Sequence, residues 1–559
     1  MAGSTGRPKL DTDEDHSDVI RLLRLAQTGD REQALVQADE QLRAAESLGM
    51  LYARAVALHC MGDFEGAART ADRMLTITAG VPIPGTTAAR AERDGWRSIA
   101  LSYRALKRMI LNELDTQADR QAFDLESILL DLAQAEALLS DNVPDGFLLA
   151  TSHSSLGGAY NELRLYELAA PHFEIAFAAA TARTNVIVER AVASQINLAT
   201  MHLNWSMELL RVADTAGAAE KSAIAAGHAG LAQELSITDD SQPYAAHVGL
   251  LLACAQSSRG DDRMAVTRIR AALDALEAGG ARESRAFALP FLARALDRVG
   301  QHAEALEVAQ QAISALPDNA MWVTAAPAYH THATLLARSG SDSAVAALAY
   351  GDQLAETLWR QRLRTLQNVR SMQVLERVTL ERDRVQVLAY TDALTGVGNR
   401  RAFDVRMAEL GSAADSVDVT LIAVDVDRLK EVNDARGHEA GDRTLKAVAG
   451  ALFTQVRSGD LVARLGGDEF VAVLEGMSRA AAMEVVDRMV DAVSVVLGSR
   501  ITVSVGVATG PASETGASLL RAADRAMYAA KRNKRVVGPG SQAAVEAMPE
   551  HRRGPRVAG

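Results

Sequence analysis

Two acids stand at the ends of apolar stretches. Asp425 closes VTLIAVD at 419–425, and the Asp468-Glu469 pair follows Gly466-Gly467 inside LVARLGGDEFVAVL at 461–474. Apolar runs of this length predict buried strands, and a Gly-Gly pair suits a tight turn between two of them. Carboxylates that converge at neighbouring strand ends repel one another unless a divalent cation lies between them. Hard oxygen ligands favour Mg²⁺, an ion that usually carries substrate phosphates. Paired glycines let backbone N–H groups approach a phosphate without side chains in the way. Lys430 adds a positive charge nearby. These residue types point to metal-assisted chemistry on a nucleotide phosphate.

Four motifs then occur in order: TDALTGVGNRR at 391–401, DVDRLKEVND at 425–434, GHEAGD at 437–442 and RLGGDEF at 464–470. Together they resemble the GGDEF diguanylate cyclase family over residues 391–538. The resemblance implies an α/β domain around a central antiparallel sheet, akin to the palm of nucleotidyl cyclases. It also implies condensation of two GTP into cyclic di-GMP and two pyrophosphates, across a homodimer in which each domain holds one GTP.

Position by position, the resemblance makes Asp425, Asp468 and the backbone carbonyl of Val426 ligands of Mg²⁺, with Mn²⁺ an alternative. Asp468 takes the proton of the attacking 3′-hydroxyl, Glu469 assists, and Lys430 stabilises charge on the transferring phosphate. Asn433 and Asp442 read the guanine edge, Gly466 and Gly467 leave room for phosphates, and Lys531 and Arg535 contact them. A carboxylate accepts from N1 and N2 of guanine, a donor pair adenine lacks, so Asp442 selects GTP over ATP. Arg457 and Asp460 match the family's RxxD inhibitory product site, with Arg488 as its supporting arginine. The chain departs from the family at Leu429 (usually Phe), Val397 (Leu), Lys534 (Gly) and Val536 (Asn), and none of these changes removes a catalytic group.

Helical segments around 438–456, 479–497 and 517–533, with a further strand at 501–508, are expected to position these groups. Upstream, residues 351–390 lack Pro and have no Gly after Gly351. Trp359, Leu363, Leu366, Val369, Met372, Leu375, Val378, Val385 and Leu388 recur there every three or four positions with one gap, predicting a linker helix with one apolar stripe. The helix either packs on the preceding region or acts as a dimerising lever.

Residues 17–350 are rich in Ala, Leu, Arg, Glu and Gln, broken by short Gly or Asp turns. Leu156, Gly157, Tyr160, Tyr166, Ala169, Phe173 and Ala176 follow the spacing of a tetratricopeptide repeat. Partial copies begin at Met61-Gly62-Asp63-Phe64, at Ser258-Arg259-Gly260-Asp261 and at Leu292 through Gly300. The expected architecture is therefore multidomain: an all-α tetratricopeptide-like solenoid that binds an unidentified ligand or partner, a signalling helix, and the α/β domain. Residues 1–16 and 539–559 are expected to be disordered.

Composition limits the remaining classes. Lys+Arg 59 against Asp+Glu 71 leaves a net charge of −12, which speaks against a nucleic-acid coat or an anionic membrane surface as partner. The two cysteines, Cys60 and Cys254, are too few for a disulfide framework or a Cys-based zinc cluster. No apolar run approaches membrane-spanning length and the N-terminus carries acids in place of a signal-peptide core, so a cytoplasmic location is expected. Two other readings stay open: a catalytically silent cyclic di-GMP receptor using Arg457 and Asp460, and an interaction scaffold in which nucleotide is structural.

Overall fold

A computed structural model describes residues 16–28, 30–80, 87–114, 124–139, 146–182, 187–236, 244–257, 262–277, 282–317, 320–412, 418–457, 459–477, 479–497, 501–511, 516–536 and 544–545. They fall into two compact units, Met1–Val378 and Thr379–Gly559. The expected disordered tails lie almost wholly outside the described residues, as does the Ser258–Asp261 turn.

Helices make up the first unit, each packed on its neighbours in sequence. The packed pairs are α1 (His16–Thr28) with α2 (Arg31–Ala44), α3 (Leu48–Cys60) with α4 (Phe64–Gly80), α5 (Thr87–Leu114) with α6 (Leu125–Leu138), and α7 (Gly146–Glu162) with α8 (Tyr166–Ala180). They continue with α9 (Val188–Arg211) and α10 (Thr215–Leu235), α11 (Ala245–Gln256) and α12 (Asp262–Glu277), and α13 (Arg282–Arg298) and α14 (His302–Ser314). Next comes α15 (Trp322–Arg338), which packs on both α13 and α14.

Local sequence explains where helices start. The side chains of Asp30, Ser47, Asp124 and Asp214 each accept from an N–H three residues on, satisfying a donor the helix cannot. Small residues explain how closely they pack. A Cβ on Gly157 of α7 would lie 3.0 Å from the Phe173 ring of α8, so Gly157 admits that ring. Around this contact Tyr160, Tyr166 and Ala169 are fully buried, as their spacing predicts.

The long helix α16 (Asp342–Tyr390) has 49 residues and begins upstream of the expected start at 351. Its apolar positions do not form one stripe. Leu366 and Val369 are buried in a core shared with α5 to α9, whereas Leu363, Leu375, Val378 and Val385 face solvent. The single stripe expected from the spacing is thus divided between buried and solvent-facing positions.

In the second unit, α17 (Arg400–Ser412) precedes β1 (Asp418–Val426), α18 (Leu429–Arg436) and α19 (His438–Phe453). The chain continues through β2 (Leu461–Gly466), β3 (Glu469–Glu475), α20 (Arg479–Leu497), β4 (Val503–Pro511), α21 (Gly516–Val536) and β5 (Ala544–Val545). Sheet order is β2-β3-β1-β4-β5, antiparallel except for the short β4–β5 pair. Motif spacing had left α17, α18 and β5 unassigned.

Strand alternation serves two cores. Ile422, Val424 and Val426 of β1 join residues of α19 and α20 on one face, while Leu421 and Ala423 join α17 and α21 on the other. On the second face Gly506 of β4 is decisive. A Cβ there would lie 2.2 Å from both the Ala523 carbonyl oxygen and the Met527 nitrogen. Only glycine lets the α21 backbone come this close, and α21 carries Lys531 to the strand ends.

Candidate active site

Strand pairing joins the two separated acids. Asp425 lies opposite Glu469 on β3 and opposite Ser504 on β4. One residue on, the Val426 N–H donates to the Asp468 carbonyl at 3.0 Å. Because β1 is central and β3 leaves directly from the glycine turn, Asp425, Val426, Asp468 and Glu469 converge at one edge of the sheet.

The electrostatics there are strained. Burial pushes the Asp425 carboxyl above the usual range; Lys531 opposes this, and Asp468 and Asp427 add repulsion. Glu469 is also raised, by burial and then by Asp524, Asp425 and Asp468. Lys531 Nζ donates to Asp425 Oδ1 at 2.6 Å, and this contact holds its ammonium above the ordinary value despite burial. The expected phosphate contact Lys531 thus has a carboxylate as its partner in this structure.

A divalent cation suits this donor set. Two neighbouring carboxylates and the Val426 backbone oxygen are hard donors, and the repulsion from Asp468 that adds to the burial of Asp425 is what a cation relieves. Among the described residues no group of three or more His, Cys, Asp or Glu side chains is gathered for a metal. The ligand set expected here has only two such side chains, so it falls below that number.

The glycine turn owes its shape to backbone conformation rather than lack of space. Gly467 has φ +50°, and a Cβ at Gly466 or Gly467 would meet nothing within 4 Å. A clamp that motif reading missed holds the turn. Arg464 donates to the Gly467 carbonyl through Nε at 3.0 Å and Nη2 at 2.7 Å, and reaches Asp392 at 3.1 Å through Nη1. Asp392 also accepts from the Thr395 N–H and hydroxyl. Burial alone would raise the Asp392 carboxyl, but these donors hold it below the usual range. The Gly398 N–H donates to the Val462 carbonyl at 2.9 Å and the Gly398 carbonyl accepts from the Arg464 N–H at 2.7 Å, so TDALTGVGNRR pairs with β2 and braces the turn. The signal was an arginine two residues before the glycine pair and an acid in the upstream motif, Asp392.

Asp427 was missed too. Its carboxylate accepts from the Thr502 and Ser504 hydroxyls at 2.6 and 2.7 Å, tying the end of β1 to β4. The next residue, Arg428, adopts φ +61° and starts α18. That helix presents Lys430, exposed, and Asn433, half-buried. Asn433 Oδ1 is buried with no partner among the described residues, and it lies 1.9 Å from where a Cβ on Gly441 would stand. Gly441 thus leaves the room the Asn433 amide occupies; a side chain there would displace the amide. Asp442 follows, exposed on the first turns of α19.

Arg457, Asp460 and Arg488 gather at the other end of β2. Asp460 accepts from the backbone N–H groups of Arg457 at 3.1 Å and Glu475 at 3.3 Å, and Arg488 Nη2 reaches the Gln455 carbonyl at 3.5 Å. The six residues of β2 separate this cluster from the glycine turn, roughly 20 Å at 3.3 Å per residue. Arg535 is in α21, but its side chain lies outside the described residues, and so does Ser458.

The sequence of this region is similar to known proteins. Residues 389–536 match the family described as diguanylate cyclase, GGDEF domain. Diguanylate cyclase DgcP of Pseudomonas aeruginosa is 37% identical over 152 residues, 26% of this chain and 23% of that protein. Diguanylate cyclase DgcM of Escherichia coli K12 is 36% identical over 167 residues, 29% of this chain and 40% of that one. Among solved structures, the coiled coil and GGDEF domain of DgcB from Caulobacter crescentus, in complex with c-di-GMP, is 27% identical. It covers 33% of this chain and 97% of that chain, with a TM-score of 0.29. The second unit thus carries a GGDEF domain of the diguanylate cyclase kind. The chain spans about a quarter to two fifths of the length of these curated relatives.

Proposed function

We propose that this chain is a Mg²⁺-dependent diguanylate cyclase that condenses two GTP into cyclic di-GMP and two pyrophosphates across a homodimer. The observation that carries the reading is the convergence of Asp425, Val426 and Asp468 beside the Gly466-Gly467 turn. The 3′-oxygen of one GTP attacks the α-phosphorus of the other; a P–O bond forms and the bond to pyrophosphate breaks. Asp468 accepts the hydroxyl proton, with Glu469 beside it. Asp425, Asp468 and the Val426 carbonyl would hold Mg²⁺, which neutralises charge on the reacting phosphate and leaving pyrophosphate when bound. Lys430 adds positive charge, and Lys531 is poised between Asp425 and the phosphates.

Asn433, whose buried Oδ1 has no partner among the described residues, and Asp442 select guanine. Cyclic di-GMP returns to Arg457, Asp460 and Arg488 as an inhibitor. The first unit acts as a tetratricopeptide-like regulatory array in the cytoplasm. In support, no helix among the described residues is long and apolar enough to cross a membrane. The test is incubation with GTP and Mg²⁺ followed by nucleotide chromatography. Cyclic di-GMP is expected from the native chain and none from Asp468→Ala. No product from native dimer stripped of nucleotide, or equal product from the variant, overturns the reading.

A further inference from the structure

The last helix of the first unit behaves unlike the others. It does not lie along α15 as earlier second helices lie along their partners. Instead one stripe of α16 rests on α6, α7 and α8 through side chains. Arg362, Leu366, Val369 and Gln373 are all buried, at spacings of four, seven and eleven that keep them on one helix face.

Both ends of the stripe are polar and fully enclosed. The Arg362 side chain is 1% exposed and pairs with Glu167. Its Nε donates to the Arg164 carbonyl at 2.5 Å, and its guanidinium lies over Trp359 at 4.3 Å and Tyr166 at 5.3 Å. At the far end Gln373 donates to the Tyr160 hydroxyl at 3.0 Å and to Glu136, whose carboxylate also accepts from Tyr160 at 2.9 Å. Leu366 and Val369 fill the space between, in the core that includes Leu156 and Phe173.

This seat is specific yet imperfect. A buried guanidinium needs all its donors satisfied, and Arg362 Nη1 has no partner among the described residues. The acids Glu136 and Glu167 that receive the stripe belong to α6 and α8, not to the helix they hold. An unsatisfied donor and contacts made only by side chains describe a ligand that a better one can replace.

We infer that the α6–α8 surface is a helix-recognition site, held here by α16 residues 362–373. A partner's amphipathic helix takes it by presenting Arg, two aliphatic residues and an amide donor at the same spacing. Glu167 selects the guanidinium, the Leu156–Phe173 region takes the aliphatics, and Glu136 with Tyr160 takes the amide. Displacement frees a helix that runs unbroken to Tyr390, where the catalytic motifs begin.

A labelled synthetic peptide of residues 355–378 is the probe, titrated into the full chain. Weak binding is expected to the native protein. Binding at least tenfold tighter is expected to an Arg362→Ala chain and to a Val369→Ala chain, whose own stripes hold less well. The peptide bearing Arg362→Ala should lose that affinity. Hydrogen exchange read on the same samples should show 355–378 opening in the variants while α7 and α8 stay protected. Equal binding to native and variant chains overturns the proposal, as does no binding to a variant whose α7 and α8 remain protected. Both readouts are independent of GTP, so this inference and the cyclase reading fail separately.

Discussion

The two units of this chain use the same residue types for different ends. In the second unit carboxylates are buried beside one another: burial first, and repulsion from neighbouring acids after it, raise Asp425 and Glu469 above their usual range. In the first unit buried acids are matched with donors. Glu208 is held by Arg164 and Arg211, and Asp131 by Arg104. A matched buried charge keeps helices in register, whereas a crowded set stores repulsion that a cation and phosphates can relieve. The crowded acids of one unit stand in short motifs at the strand ends. The matched pairs of the other join residues far apart in sequence, such as Arg362 with Glu167.

The contrast breaks most decisively at Asp425. Asp425→Asn keeps the strand but removes one charge of the pair. It should lower cyclic di-GMP formation by about 10²–10³-fold or more, while the circular dichroism of the helical unit stays unchanged. Activity close to native would place the acids outside the chemistry.

Acid should separate the units by stability. Burial holds His59 and His202 down to about 3 and His153 and His330 to about 4. Unfolding frees them to titrate near 6.5. The unfolded state therefore binds more protons below that pH, and stability falls as pH drops from about 6.5 toward 4. The loss is on the order of 1–2 kcal/mol per histidine by pH 5. Among the described residues of the second unit the only histidine is His438, which is exposed. Denaturant melts at pH 7.5 and 5 should show the helical transition moving and the other holding; a reversed order refutes the assignment.

Two glycines sharpen the comparison at smaller scale. Gly506→Ala drives a methyl into the α21 backbone, which cannot yield, and should cost roughly 1–3 kcal/mol or more with loss of turnover. Gly157→Ala meets the edge of the Phe173 ring, which can turn, and the Ala169 carbonyl oxygen at 3.3 Å, which needs to give by only a few tenths of an ångström, and it adds helix propensity. Its net effect should stay within about 1 kcal/mol in either direction. Chemical denaturation reads both, and equal costs would erase the distinction between backbone and side-chain neighbours.

Much of the candidate site was legible in the chain before its fold was. The strand ending in Asp425, the hairpin through Gly466-Gly467 and the helix carrying Lys531 all follow from apolar runs and motif order. Helix pairs such as α7 and α8 were equally readable, because small and aromatic residues recur at helical spacing. Less was visible of α16, where burial divides one apolar list into two faces according to what lies beside each.

By itself, then, the sequence determined the local elements and which residues stand at their ends, since propensity, periodicity and turn chemistry act over a few positions. The tertiary structure alone decided the partners. Lys531 meets Asp425, Asp427 is spent on Thr502 and Ser504, Arg464 joins Asp392 to the glycine turn, and Arg362 is seated at Glu167. Such pairings depend on how whole strands and helices pack, and one arginine or aspartate is locally indistinguishable from another until that packing chooses between them.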